Sequence, residues 1–81
     1  MKVLAILEKD YIAPYLLERN LAKQYDKAKK YILLGHFKQV DFKLRQPKEK
    51  GIYSFRINQQ FRAFCICKDD ELVVFSIDNN Q

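Results

Sequence analysis

The sequence predicts an α+β domain in which two N-terminal helices pack on one face of a small antiparallel β-sheet. Three observations lead there. Apolar residues recur at helical spacing up to Leu34, the period changes after Gly35, and from Ile52 onward the chain is rich in aromatic and β-branched residues broken by short polar turns. Helices gathered ahead of a run of strands segregate to one face of the sheet. The 81 residues make a single domain, 1–81. A chain of this size buries only about 60–65% of its unfolded surface, so a large cofactor pocket would compete with the core, and no cofactor is expected.

Residues 2–8 are apolar enough for a short strand or the first turn of a helix, and the run alone does not decide between them. Pro14 is tolerated only in a first helical turn, which points to a short helix near 12–18. From Asn20 to Leu34 the stripe Leu17, Leu21, Tyr25, Ala28 and Ile32 marks the clearest helix. Asn20 is expected to cap its start and Gly35 to end it in a left-handed conformation. Val40, Phe42 and Leu44 alternate with Asp41 and Lys43, as in a short strand. Residues 46–51 form a polar loop, and strands follow at roughly 52–58, 61–68 and 71–78, with a two-residue turn at Asp69-Asp70.

An odd-length loop, Asn58-Gln59-Gln60, sets Ile57 opposite Phe61, Phe55 opposite Ala63 and Tyr53 opposite Cys65. That register gives a core face of Tyr53, Phe55, Ile57, Phe61, Ala63, Cys65, Cys67, Leu72 and Val74. The other face then carries Arg56, Arg62, Phe64, Ile66, Val73, Phe75 and Ile77. An even loop would exchange both sets. The tip lacks the glycine such loops favour. The second face is apolar at one end, so either a protein partner or a terminal segment of this chain is expected to cover it.

The formal net charge of +5 favours nucleic acid, an anionic membrane surface or an acidic protein as partner. Lys23, Lys27, Lys29 and Lys30 read as a solvated helix face. Lys38, Lys43, Arg45, Lys48 and Lys50 lead into the hairpin and are the better phosphate-binding set. The run Val3–Leu7 is too short for a membrane span or a signal-peptide core. Cys65 and Cys67 lack metal-ligand spacing and read as small apolar residues of a reducing cytoplasm. His36, the only histidine, follows the helix end, where a cation suits the helix dipole.

Arg56 and Arg62 are the residues that point to chemistry. Facing each other across two strands, they repel, and an anion held between two guanidinium forks resolves the conflict. The run from Gly51 to Phe64, Gly-Ile-Tyr-Ser-Phe-Arg-Ile-Asn-Gln-Gln-Phe-Arg-Ala-Phe, resembles toxins of the RelE/ParE superfamily, closest to RelE- and HigB-like members. Asp69 to Asp78 looks like the acidic turn and last strand of that family, and the match spans about residues 40–80.

The resemblance implies the compact α+β fold and a bacterial toxin–antitoxin module. RelE-like members cut mRNA on the ribosome without a metal; ParE-like members poison DNA gyrase. Both are silenced by a cognate antitoxin. On the nuclease reading Arg56 and Arg62 bind phosphate and stabilise the transition state, while Lys43, Arg45, Lys48 and Lys50 steer the RNA backbone. Asn80, or Asn79, stands where family nucleases often carry a His or Tyr, and an amide does not shuttle protons near neutral pH. The alternatives are a gyrase poison and a basic binding module without catalysis, its arginines paired with Asp78 and Glu71.

Overall fold

The structure, a computed structural model, describes residues 1–79. Asn80, the proposed third member of the site, therefore lies outside the described residues. The elements are β1 (Ala5–Glu8), α1 (Ile12–Glu18), α2 (Ala22–Leu33), β2 (Lys43–Leu44), β3 (Ile52–Arg56), β4 (Phe61–Lys68) and β5 (Glu71–Asn79). Short 3₁₀ turns at Phe37–Val40 and Lys48–Lys50 flank β2. The five-stranded sheet has the order β1-β5-β4-β3-β2. Strands β2 to β5 pair antiparallel, and β1 joins the edge of β5 in parallel, so the sheet is mixed. The ambiguous first segment is thus a strand, with Leu4 N–H donating to Asp70 O (2.8 Å) and Lys9 N–H to Val74 O (3.0 Å). No described helix is long and apolar enough to cross a membrane.

Both helices end in the same way. Asn20 N–H donates to Leu17 O and Leu21 N–H to Leu16 O, with Asn20 at φ 58°. Gly35 repeats the pattern at φ 80°, its N–H on Ile32 O and His36 N–H on Tyr31 O. These are Schellman closures. Asn20 consequently ends α1 instead of capping α2, which starts after Leu21 without a side-chain cap. The tight turn also moves the α1 contact by one residue. Leu16 is buried against the core and Leu17, expected in the stripe, is 71% exposed.

Leu16, Leu21, Tyr25, Ala28 and Ile32 from the helices meet Phe55, Ile57, Ala63, Cys65, Leu72 and Val74 from one sheet face in a single core. The hairpin register is the expected one: Tyr53 opposes Cys65, Phe55 opposes Ala63 and Arg56 opposes Arg62. Asn58 supplies what the missing glycine would have. Its Oδ1 accepts from Gln60 N–H and Phe61 N–H, both at 2.8 Å, and no residue of the tip takes a positive φ. Its Nδ2 donates to Gln24 Oε1 (2.8 Å), tying the tip to α2. Asp69 and Asp70 both have positive φ, the conformation that a two-residue type I′ hairpin turn requires.

One expectation fails beyond the middle of β5. A bulge between Phe64 and Cys65 sets Val74 opposite Cys65 but Ser76 opposite Phe64. An extra residue, Phe75, is absorbed there, and everything after it changes face. Ile77 pairs with Ala63 and packs on the core, not on the arginine face. Asp78 takes its place opposite Arg62. The apolar end of that face is widened by β1, whose Leu7 pairs with Val73, and is not covered by it. Leu7 and Ile66 remain exposed.

Candidate anion-binding site

The site forms where the chain leaves the 3₁₀ turn Phe37–Val40. Asp41 closes that turn in the left-handed region (φ 49°, ψ 46°), which Asp tolerates better than most residues. The strand expected over Val40–Leu44 is therefore only Lys43–Leu44. The next residue, Phe42, stacks on Tyr53 (centroids 5.3 Å, planes 14° apart) on the helix side of the sheet. Alternation then sends Asp41, Lys43 and Arg45 to the opposite side, where Lys43 pairs with Ser54.

Asp41 Oδ2 is the centre of the arrangement. It accepts from Arg62 Nη2, lies 3.5 Å from Lys43 Nζ and 3.8 Å from Arg56 Nη2. Arg62 Nη1 donates to the hydroxyl of Ser54 (3.4 Å), a side chain fully buried beneath it. Three cations converge on the Asp41 carboxylate, and with Asp78 as Arg62's neighbour in the ladder the charge there stays positive. The repulsion between the two facing arginines is thus relieved inside the protein itself. The Arg62 guanidinium beside Asp41, followed by Lys43, holds the Asp41 carboxyl below the ordinary carboxylate range.

The arginines differ in access. The Arg62 side chain is only 13% exposed, whereas Arg56 keeps 51% and Lys43 49%. Arg62 is positioned like a fixed anchor, and Arg56 and Lys43 like arms that an incoming anion meets first. Arg45 lies on the same side, its guanidinium 5.7 Å from the Phe64 ring centre.

The residues named from the sequence thus divide. Arg56, Arg62 and Lys43 converge, and Arg45 borders them. Lys48 and Lys50 do not join them. They sit in the exposed 3₁₀ turn that leads into Ile52, the end of β3 whose first residue lies about 13 Å along the strand from Arg56 at ~3.3 Å per residue. The arginine partner anticipated at Asp78 or Glu71 is instead Asp41, and Glu71 pairs with Lys68 at the far end of the ladder. Asp41 and Ser54 were missed as site residues. In the sequence each looked like an ordinary member of an alternating strand. His36 lies beside Tyr31 (centroids 6.4 Å), away from the cluster.

The arrangement is chemically suited to hold one tetrahedral oxyanion. Two guanidiniums and an ammonium surround a point already occupied by carboxylate oxygen. A scan against protein-family models finds no match, and a search of curated proteins finds none either.

Proposed function

We propose that this protein is a RelE/ParE-like toxin of a bacterial type II toxin–antitoxin system and acts as a metal-independent endoribonuclease on mRNA at the ribosome. The observation that carries the reading is Asp41 Oδ2 held by Arg62, Arg56 and Lys43 on one sheet face. A phosphodiester oxygen can replace that carboxylate oxygen with the same partners.

In the proposed reaction a ribose 2′-oxygen attacks the adjacent phosphorus and the 5′-oxygen of the next nucleotide leaves. The proton of the 2′-hydroxyl goes to a base, the leaving oxygen takes one up, and a 2′,3′-cyclic phosphate forms. The phosphoryl group carries more negative charge at the transition state than in the diester. Cations fixed beforehand therefore favour the transition state over the substrate. Arg62 is fixed by Ser54 and its buried setting, Arg56 adds a second fork, and Lys43 adds a point charge. Arg45 steers the flanking backbone. A cognate antitoxin with acidic and apolar residues would cover the arginines together with the Leu7–Ile66–Val73 strip beside them.

One observation favours a second reading, a non-nucleolytic poison of DNA gyrase. The described cluster contains no histidine, tyrosine or cysteine, and its Asp41 carboxylate is held below the ordinary range by Arg62 and Lys43, which makes it a weak base. Induction in bacteria decides between the two. Codon-positioned cleavage of mRNA on translating ribosomes, lost in Arg62→Ala, is the expected result. Double-strand DNA breaks without mRNA cleavage would establish the gyrase reading, and unimpaired growth would overturn both.

A further inference from the structure

We infer that the cleft between α2 and the β3–β4 hairpin tip is a nucleobase pocket that receives an unpaired base of the strand whose phosphate the arginine cluster holds. The inference rests on the phosphate-binding reading of that cluster. The cleft has a volume of about 410 Å³, within the range typical of small-ligand sites (about 300–1,000 Å³). Its floor is apolar and closed: Ala28, Val40 and Ile57 are each buried. Its rim carries the amides of Gln24, Gln39 and Asn58, the Tyr31 ring, and the cations Lys27 and Arg56.

That combination selects a ligand class. Among the described residues no Asp or Glu lines the cleft, whose two charged side chains, Lys27 and Arg56, are both cations and favour an anionic strand. A side-chain amide presents a donor and an acceptor together, which matches the paired edges of nucleobases; Asn58 Oδ1 and Nδ2 are engaged with Gln60, Phe61 and Gln24, so the amide that reads the base is Gln39. A tyrosine ring gives a base a face to stack on, with little dependence on base identity. The two cations suit a sugar–phosphate backbone passing over the rim.

The pocket is also prepared. Asn58 is fixed three ways, by Gln60 N–H, Phe61 N–H and Gln24 Oε1, so the amide at the tip does not have to be ordered on binding. Tyr31 is half-buried at the end of α2 and backed by His36. Arg56 joins the two sites. It lines the cleft and its Nη2 lies 3.8 Å from Asp41. A strand that crosses the β3 edge at Arg56 would carry the base next to that phosphate from the arginine face to the mouth of the cleft. Lys27, in a lysine run readable as mere solvated helix face, thereby acquires a role that Lys23 and Lys30 lack.

The test is fluorescence anisotropy at low salt with four short homo-oligoribonucleotides and an abasic oligomer of the same length. Wild type should bind the abasic strand, bind base-bearing strands more tightly, and rank the four bases. Gln39→Ala should flatten the ranking. Tyr31→Leu should cost roughly tenfold on base-bearing strands and leave the abasic strand unchanged. If all strands bind like the abasic one, the pocket is overturned and the phosphate site stands. If the abasic strand fails to bind while base-bearing strands still lose affinity in Tyr31→Leu, the pocket stands and the phosphate reading falls. Binding by none of them overturns both.

Discussion

The carboxylate of Asp41 meets the guanidinium of Arg62 across twenty-one residues of chain, from a left-handed 3₁₀ closure to the second rung of β4. On the function proposed above, the contact gives a small basic protein a stand-in for the anion it would hold. It also makes Asp41 the residue whose removal separates folding from binding.

Asp41→Asn should therefore lower stability and raise affinity for RNA. Losing the ion pair should cost about 1 kcal/mol, a modest figure because the Asp41 side chain keeps 40% of its surface in water. Its folded pKa is depressed, so the stabilisation is complete above the unfolded value near 3.8 and is lost as pH falls through the folded value. Urea titrations of both proteins from pH 7 downward should differ most at pH 7 and converge as the Asp41 carboxyl takes up its proton. RNA binding that is unchanged or weaker would show that Asp41 aims the arginines and does not compete for them.

Arg56→Ala and Arg62→Ala should separate by salt dependence and stability. On the proposed function the exposed Arg56 would contribute one phosphate contact, and its loss should reduce the slope of log K against log salt by about 0.7. Arg62→Ala also takes the donor from the buried Ser54 hydroxyl and leaves Asp41 with only Lys43 and Arg56, so it should lower the unfolding midpoint more than Arg56→Ala does. Equal effects on stability would contradict the anchor role given to Arg62.

The two cysteines should react in sequence. Burial, with Cys67 as a smaller cause, pushes the Cys65 thiol up to about 12, and the residue has no exposed surface. Cys67 is partly exposed. A thiol reagent at pH 8 should label one cysteine in the native protein, mapped to Cys67 by peptide analysis, and the second only in denaturant. Native labelling of Cys65 would mean that β4 opens far more readily than its core position implies.

Tyr25 should be the last tyrosine to ionise. Its phenol is buried and donates to Glu8 Oε2 (2.8 Å), and both effects push its pKa well above the ordinary value of 10. Of the five tyrosines, one should stay protonated in an alkaline absorbance titration until the protein unfolds. Because the folded pKa is raised, this contribution is complete below pH 10 and is lost above it. Tyr25→Phe should cost about 1 kcal/mol at neutral pH, since Glu8 retains Lys29 at 3.1 Å.

Asn58→Ala should loosen the hairpin tip and cost about 1–2 kcal/mol, because two backbone N–H groups lose their acceptor. Asn58→Gly should recover part of the loss by making left-handed tip conformations accessible. Thermal unfolding of the pair against wild type measures both steps.

The sheet's central register was legible because alternation and an odd loop constrain each other: moving Phe55 off the core face would also have moved Ala63 and Cys65. The Schellman end at Gly35 was legible because glycine after a helical stripe has a single obvious use. Asn20 was misread because a residue that starts helices also tolerates the left-handed turn that ends them. The bulge at Phe75 was invisible, since Leu72–Ile77 is apolar at every position but Ser76 and so fits either face; only pairing with β4 exposes the extra residue. The arginine pair could be read from local spacing. Asp41 could not, because its place beside Arg62 depends on a tertiary contact and a 3₁₀ turn with no marker in composition.

The parallel ladder between β1 and β5 has a consequence for assembly. The helices and the β3–β4–β5 meander are built from neighbours in the chain, which form early. Among the described elements β1 is the earliest in the chain, and the strand it pairs with, β5, is the latest. Until β5 arrives, the Val3–Leu7 segment is an unpaired apolar strand, open to any other edge it encounters. The vulnerable stage of this protein's life is thus the interval before its first and last strands meet. Substitutions that weaken that closure should surface as poor yield and clumping well before they alter whatever the finished domain binds.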